Sequence, residues 1–186
     1  MKKVFMALAI IVCYAANAHG QTILNNNGIF YQVLPNQQDV AVIMPQEETI
    51  YSGKIVIPAT ITTEGNTYKV THIGAYAFSG SDVSAITLPE GLVEIGYEAF
   101  RQCYKLKSVT IPASVLHIAN NAFLFCFNLS VLTFKAQTRP IIGNNAFGRT
   151  KVNVKGIDTG IPGNMFVPDP DGKRYQVDAK AGVVVY

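Results

Sequence analysis

The apolar positions along this chain follow a phrase that keeps returning. Ile73-Gly74-Ala75-Tyr76-Ala77-Phe78 comes back as Ile95-Gly96-Tyr97-Glu98-Ala99-Phe100, then as Ile118-Ala119-Asn120-Asn121-Ala122-Phe123, then as Ile142-Gly143-Asn144-Asn145-Ala146-Phe147. The phenylalanines stand 22, 23 and 24 residues apart. A second phrase keeps step at a spacing of 23: Val83-x-x-Ile86-Thr87-Leu88-Pro89, Leu106-x-x-Val109-Thr110-Ile111-Pro112, Leu129-x-x-Leu132-Thr133-Phe134. Its closing alternation predicts a half-buried strand. Pro89 and Pro112 end that strand, because proline cannot donate to a ladder. Gly74, Gly96 and Gly143 predict a tight bend, with Ala119 the one substitution. Upstream, Ile29 to Leu34 and Val40 to Met44 alternate in places and predict strands. Downstream, Met165 to Pro168 and Gly182 to Tyr186 are strand-like runs in a stretch rich in Gly, Pro and Asp.

One such unit cannot bury its apolar edge alone. Stacking places Val83, Leu106 and Leu129 above one another, and likewise the Ile and Phe columns, so that neighbouring units build one continuous core. A period in the low twenties lies in the leucine-rich-repeat range. The expected fold is a β-rich leucine-rich-repeat solenoid, an α/β horseshoe-like stack of short coils, with β caps at both ends. The expected divisions are a leader over 1–20, an N-terminal β cap over 21–50, the solenoid over 51–150, and a closing repeat and cap over 151–186. Open solenoid ends recruit other chains unless they are capped.

The phrases AITLPEGLVEIGYEAFRQC and SVTIPASVLHIANNAFLFC resemble the BspA-type leucine-rich repeats of bacterial surface proteins, found in gut and oral Bacteroidetes, over about residues 71–150. The stretch YSGKIVIPATITTEGNTYKVTHIG resembles the first repeat of that family, with a hairpin whose tip is Glu64-Gly65-Asn66 inserted before Ile73. The sequence departs from the pattern at Ala119, at Lys135 where proline stood, and after Phe147. The resemblance implies adhesion to host extracellular proteins.

The first residues change the picture of charge. Lys2 and Lys3 precede the apolar run Phe5 to Cys13, and Ala16-Asn17-Ala18 supplies small residues for a signal peptidase. The run is too short to span a bilayer, so export is expected, with cleavage between residues 18 and 21. No second apolar stretch is long enough to span a membrane, and none is expected after cleavage. The whole chain carries 15 basic and 12 acidic residues. Without the two leader lysines the balance is about +1, which gives no support to nucleic-acid binding. At 49% hydrophobic and 15% charged, the chain is not expected to be disordered.

Candidate chemistry is sparse. Cys103 and Cys126 share one column about 5 Å apart. Export favours a disulfide, whereas parallel side chains in one column suit that bond poorly. The resemblance implies a buried Cys column, which favours free thiols. His72, Glu94 and His117 also form a column, but three coils span about 10 Å, too far for one metal ion. Asp169-Pro170-Asp171-Gly172 imitates the start of a calcium loop, yet Lys180 stands where that loop needs Glu; a turn is expected. No metal and no cofactor is expected.

The candidate contact residues are aromatic and hydroxylic. Tyr104 and Phe127 follow the two cysteines, where the resembling repeats carry small polar residues. With Tyr97 and Phe125 they lie outside the core columns, and exposed aromatics mark interaction surfaces. Thr87, Thr110 and Thr133 form a ladder on the strands, with Lys107 nearby, where a protein or a glycan could bind. A solvated β-surface prefers the same residues. Arg101, Lys105 and Lys107 form a small basic cluster.

An enzyme needs a nucleophile, a base and a stabiliser in one pocket. The only histidines are His19, His72 and His117, and no G-x-S-x-G, phosphate-loop or paired-carboxylate signature is present. The expectation is a non-enzymatic, secreted, cell-surface or periplasmic binding protein for a protein ligand such as a host matrix or cell-surface protein. The alternative is an envelope accessory module or a glycan-binding protein.

Overall fold

The computed structural model describes residues 13–14, 22–46, 49–135, 140–155, 165–168, 174–178 and 183–185. Near the start, β1 (Cys13–Tyr14) pairs antiparallel with β2 (Ile23–Asn26). β2 pairs antiparallel with β3 (Ile29–Val33), and β3 with β4 (Asp39–Ile43). Asn27 and Gly28, both at positive φ, close the first hairpin. β5 (Ser52–Val56) is followed by the hairpin of β6 (Thr60–Thr63) and β7 (Asn66–Ile73). That hairpin turns at Glu64 and Gly65, also at positive φ.

From β7 onward each coil has three sides. A short strand carries the repeat isoleucine, a turn segment carries Ala-Phe, and a longer front strand carries the Val/Leu-x-x-Ile phrase. The front strands are β8 (Asp82–Thr87), β10 (Ser108–Ile111), β12 (Val131–Phe134) and β14 (Asn153–Lys155). The short strands between them are β9 (Glu94–Ile95), β11 (His117–Ile118) and β13 (Ile141–Ile142). β4, β7, β9, β11 and β13 form one parallel ladder that puts Ile73, Ile95, Ile118 and Ile142 in register. The front strands form two separate ladders, β5–β8 and β10–β12–β14. A separate, wholly antiparallel sheet is formed by β15 (Met165–Pro168), β16 (Arg174–Asp178) and β17 (Val183–Val185).

The architecture is a strand-rich leucine-rich repeat fold. Among the described residues there is no helix, so the helical side of an α/β horseshoe is absent from them. The backbone gives the reason. Tyr76, Glu98, Asn121 and Asn145 occupy one column at positive φ, and Gly80, Gln102, Phe125 and Arg149 occupy a second. Two left-handed residues per turn segment break any helical run.

Three columns fill the core: the isoleucines, the Val83/Leu106/Leu129 position, and Phe78, Phe100, Phe123 and Phe147. The rings of Phe78, Phe100 and Phe123 stack face to face at 5.0 and 4.9 Å. Tyr51 closes the lower end of that column at 4.8 Å from Phe78.

The repeat glycines act differently from the expectation of a special bend. Gly74, Gly96 and Gly143 are not at positive φ; each needs space. A Cβ on Gly96 would lie 2.8 Å from the Ile73 carbonyl oxygen of the preceding coil. Among the described residues no helix is long and apolar enough to cross a membrane. The cleavage segment Ala16-Asn17-Ala18, residues 156–164 of the expected closing repeat and the expected turn Asp169 to Gly172 lie outside the described residues.

Candidate functional site

The turn side is bonded coil to coil as tightly as a sheet. Phe78, Phe100 and Phe123 donate their N–H groups to Ala99, Ala122 and Ala146 at 2.7 Å. This places the residues after each phenylalanine in fixed columns. Four residues separate Phe78 from Val83 and Phe147 from Val152, but five separate Phe100 from Leu106 and Phe123 from Leu129. The extra residue in the two inner coils is Tyr104 in one and Phe127 in the other.

A tight turn absorbs each insertion. Tyr104 N–H donates to the Gln102 carbonyl at 2.8 Å, and Phe127 N–H to the Phe125 carbonyl at 2.9 Å. The side chain at the insertion is thereby turned outward. Tyr104 and Phe127 are 46% and 47% exposed, and their rings stack at 5.6 Å with planes 6° apart. Stacking coil on coil, which aligns the core phenylalanines, aligns this outer pair too.

The pair belongs to a longer strip. Phe125, half-buried, lies 5.9 Å from Phe127. The Arg101 guanidinium stands 5.9 Å above the Phe125 ring. Arg101 Nε also meets Glu98 Oε2 at 3.4 Å, and Asn121 Nδ2 donates to Glu98 Oε1 at 3.3 Å. The neighbouring Glu98 carboxylate raises the pKa of the Tyr97 hydroxyl. Tyr97 in turn meets Tyr76 edge to face at 5.5 Å. Tyr104, Phe127 and Phe125 therefore cluster at one end, while Tyr97 stands at the other.

Sequence reasoning missed Tyr76 and Glu98. The available signal was the column itself: Tyr76 and Glu98 stand where later coils carry Asn121 and Asn145, the residue type most at ease at positive φ.

The hydroxyl residues sit on the front strands. Thr110 and Thr133 are in register, but Thr87 lies in the other front ladder, opposite Val56. Thr87 and Thr110 are exposed and Thr133 is half-buried, so the expected ladder is split and uneven. Lys107 is exposed at the start of the same face, and its carbonyl accepts from Ser130 N–H at 3.0 Å.

The polar columns are structural in their surroundings. Cys103 and Cys126 are buried and free. Their thiols donate to the carbonyls of Phe78 and Phe100 at 3.0 and 2.9 Å. Burial pushes the Cys126 thiol well above its ordinary range, which keeps it protonated and inert as a nucleophile. His72, Glu94 and His117 are in register, with His72 Nε2 3.9 Å from Glu94 Oε2. Among the described residues no group of three or more His, Cys, Asp or Glu side chains could hold a metal ion.

The family model described as BspA type leucine rich repeat region matches residues 54–164 in 6 copies. A leucine-rich repeat protein from Bacteroides capillosus is 24% identical, with a TM-score of 0.61 over 72% of this chain and 99% of that one. The leucine-rich repeat protein of T. pallidum is also 24% identical, with a TM-score of 0.56 over 68% of this chain and 60% of that one. The pneumococcal vaccine antigen PcpA is 20% identical, with a TM-score of 0.51 over 83% of this chain and 53% of that one. These likenesses are of fold. No curated protein matches the chain.

Proposed function

We propose that this chain, which belongs to the BspA type leucine-rich repeat family, is an exported or surface-held binding protein that grips a protein ligand along the aromatic strip. The observation that carries the proposal is the stacked, half-exposed pair Tyr104 and Phe127, each placed on a one-residue insertion. Core packing does not require these rings, and exposed aromatics beside an arginine have the composition of binding hot spots. The stack holds them before a ligand arrives, which lowers the entropic cost of association. The antiparallel strands β2 to β4 close the N-terminal edge in this proposal, and β15 to β17 close the other. A host matrix or cell-surface protein is the proposed ligand, and no catalysis is assigned. The alternative partners are a component of the cell's own envelope and a glycan.

The test is binding of the protein from Gln21 onward to arrays of host matrix proteins and glycans, beside a Tyr104→Ala plus Phe127→Ala variant. A saturable protein hit lost in the variant, with thermal melting unchanged, supports the proposal. A sharp fall in melting temperature would show that the rings are packing residues and would overturn it.

A further inference from the structure

We infer that the segment this strip receives is an acidic polypeptide carrying interspersed apolar side chains, an inference that rests on the binding function proposed above. Two observations point to it. The first is the exposure of the rings. Tyr104 and Phe127 stack with nearly parallel planes and are 46% and 47% exposed, so apolar ring surface faces solvent and suits apolar side chains of a ligand.

The second observation is the charge around the rings. Arg101 lies against Phe125, and Lys105 follows Tyr104 in the chain. Lys107 immediately precedes the adjoining front strand β10. Arg149 stands in the column of Phe125, since Phe125 N–H donates to the Gly148 carbonyl at 3.0 Å. Lys151 N–H reaches the carbonyl of Leu129, two residues beyond Phe127, at 2.8 Å. Among the described residues the acids on this side are Asp82 and Glu98, and both are engaged: Asp82 by Lys105 at 2.9 Å, Glu98 by Arg101 at 3.4 Å. Among the described residues, Lys107 and Lys151 have no acidic partner and are exposed. Glu90 and Glu94 pair elsewhere, with Lys135 and His72. A chain close to neutral once its leader is removed thus gathers cations around its exposed aromatic pair. A bare polyanion would use the lysines and leave the rings idle. A peptide alternating acidic and apolar groups uses both.

The experiment titrates the purified exported protein with a random copolymer of glutamate and tyrosine, beside polyglutamate, a lysine–tyrosine copolymer and heparin. The glutamate–tyrosine copolymer should bind best and the lysine–tyrosine copolymer should not bind. Affinity for the former should fall at least about tenfold as ionic strength rises from about 0.01 to about 1 M, where the screening length shrinks from roughly 30 to 3 Å. Lys107→Glu plus Lys151→Glu, both at exposed positions, should weaken it by a similar factor without changing the melting temperature. Tyr104→Ala plus Phe127→Ala should weaken it independently of salt.

Equal binding of the two tyrosine copolymers would overturn the inference, as would heparin binding tightest with no dependence on the rings. So would an absence of copolymer binding in a protein that captures a ligand on the arrays through Tyr104 and Phe127; the proposed function would survive that result. Loss of ring dependence on the arrays themselves would sink the function first.

Discussion

At the scale of single residues, two buried tyrosines separate what a hydroxyl contributes from what it costs. Tyr51 donates to the Ile43 carbonyl at 2.8 Å and accepts from Phe30 N–H at 2.9 Å. Tyr31 is fully buried, and among the described residues its hydroxyl has no hydrogen-bond partner. Tyr51→Phe should cost about 1–3 kcal/mol, whereas Tyr31→Phe should be neutral or stabilising by about 1 kcal/mol; urea unfolding measures both. Burial pushes the Tyr51 hydroxyl from 10 up to about 12, and burial raises Tyr31 as well. The folded state therefore holds a proton that the unfolded chain releases near 10. The stabilisation is complete below pH 10 and is lost as pH rises through about 12. Denaturant midpoints from pH 9 to 12 should fall, less steeply in Tyr51→Phe. The glycine column gives a second contrast. Gly96→Ala drives a Cβ against the Ile73 carbonyl, a backbone atom that cannot swing aside, and should lower the melting temperature. Ala119→Gly, at the one coil already built for a methyl group, should change it little.

At the scale of elements, the inserted residue in each inner coil is the informative feature. The outer coils join Phe78 to Val83 and Phe147 to Val152 with one residue fewer, so both lengths fit between the same two columns. Deleting Tyr104 should leave the protein folded, with a far-ultraviolet dichroism spectrum like that of the intact chain, while abolishing capture of the ligand. An unfolded deletion variant would mean that the longer turn is required for coil closure. Phe123→Ala is the opposite case. It removes a fully buried ring stacked on Phe100 at 4.9 Å and on Phe147 at 5.3 Å, and should cost roughly 3–5 kcal/mol.

The elements also show what the sequence made legible. The isoleucine, valine/leucine and phenylalanine columns were readable because burial acts on side-chain type at a fixed period. The hairpin tip at Glu64-Gly65 was readable because the turn requires positive φ. The Tyr104–Phe127 position was readable as an aromatic standing where a small polar residue was expected. Its geometry was not, because stacking depends on turns whose length must be counted between columns, one coil against another. The division of the front strands between two ladders separates Thr87 from Thr110. It arises from hydrogen-bond register, which residue type does not encode. The same holds for Glu98, whose partners Arg101 and Asn121 gather around it only once the coils are stacked.

At the scale of the whole molecule, each coil bonds mainly to its immediate neighbours, so stability should be graded along the stack. Amide exchange should be slowest on the turn sides of the two inner coils, at Phe100 and Phe123, and faster at Ala146 and Gly148 toward the end of the described stack. Uniform protection would mean that the stack opens in one step. Glu90 and Lys135 work against grading, because their 2.6 Å contact joins residues 45 positions apart. Both are about half exposed, so the link contributes little at ordinary salt.

The turns take one residue more or fewer while the isoleucine ladder and the phenylalanine column keep their alignment. A lineage built on such coils can lengthen or shorten a turn, and so change what it grips, without re-registering a strand. Novelty in recognition and inheritance of the scaffold would then be written in different letters of the same repeat.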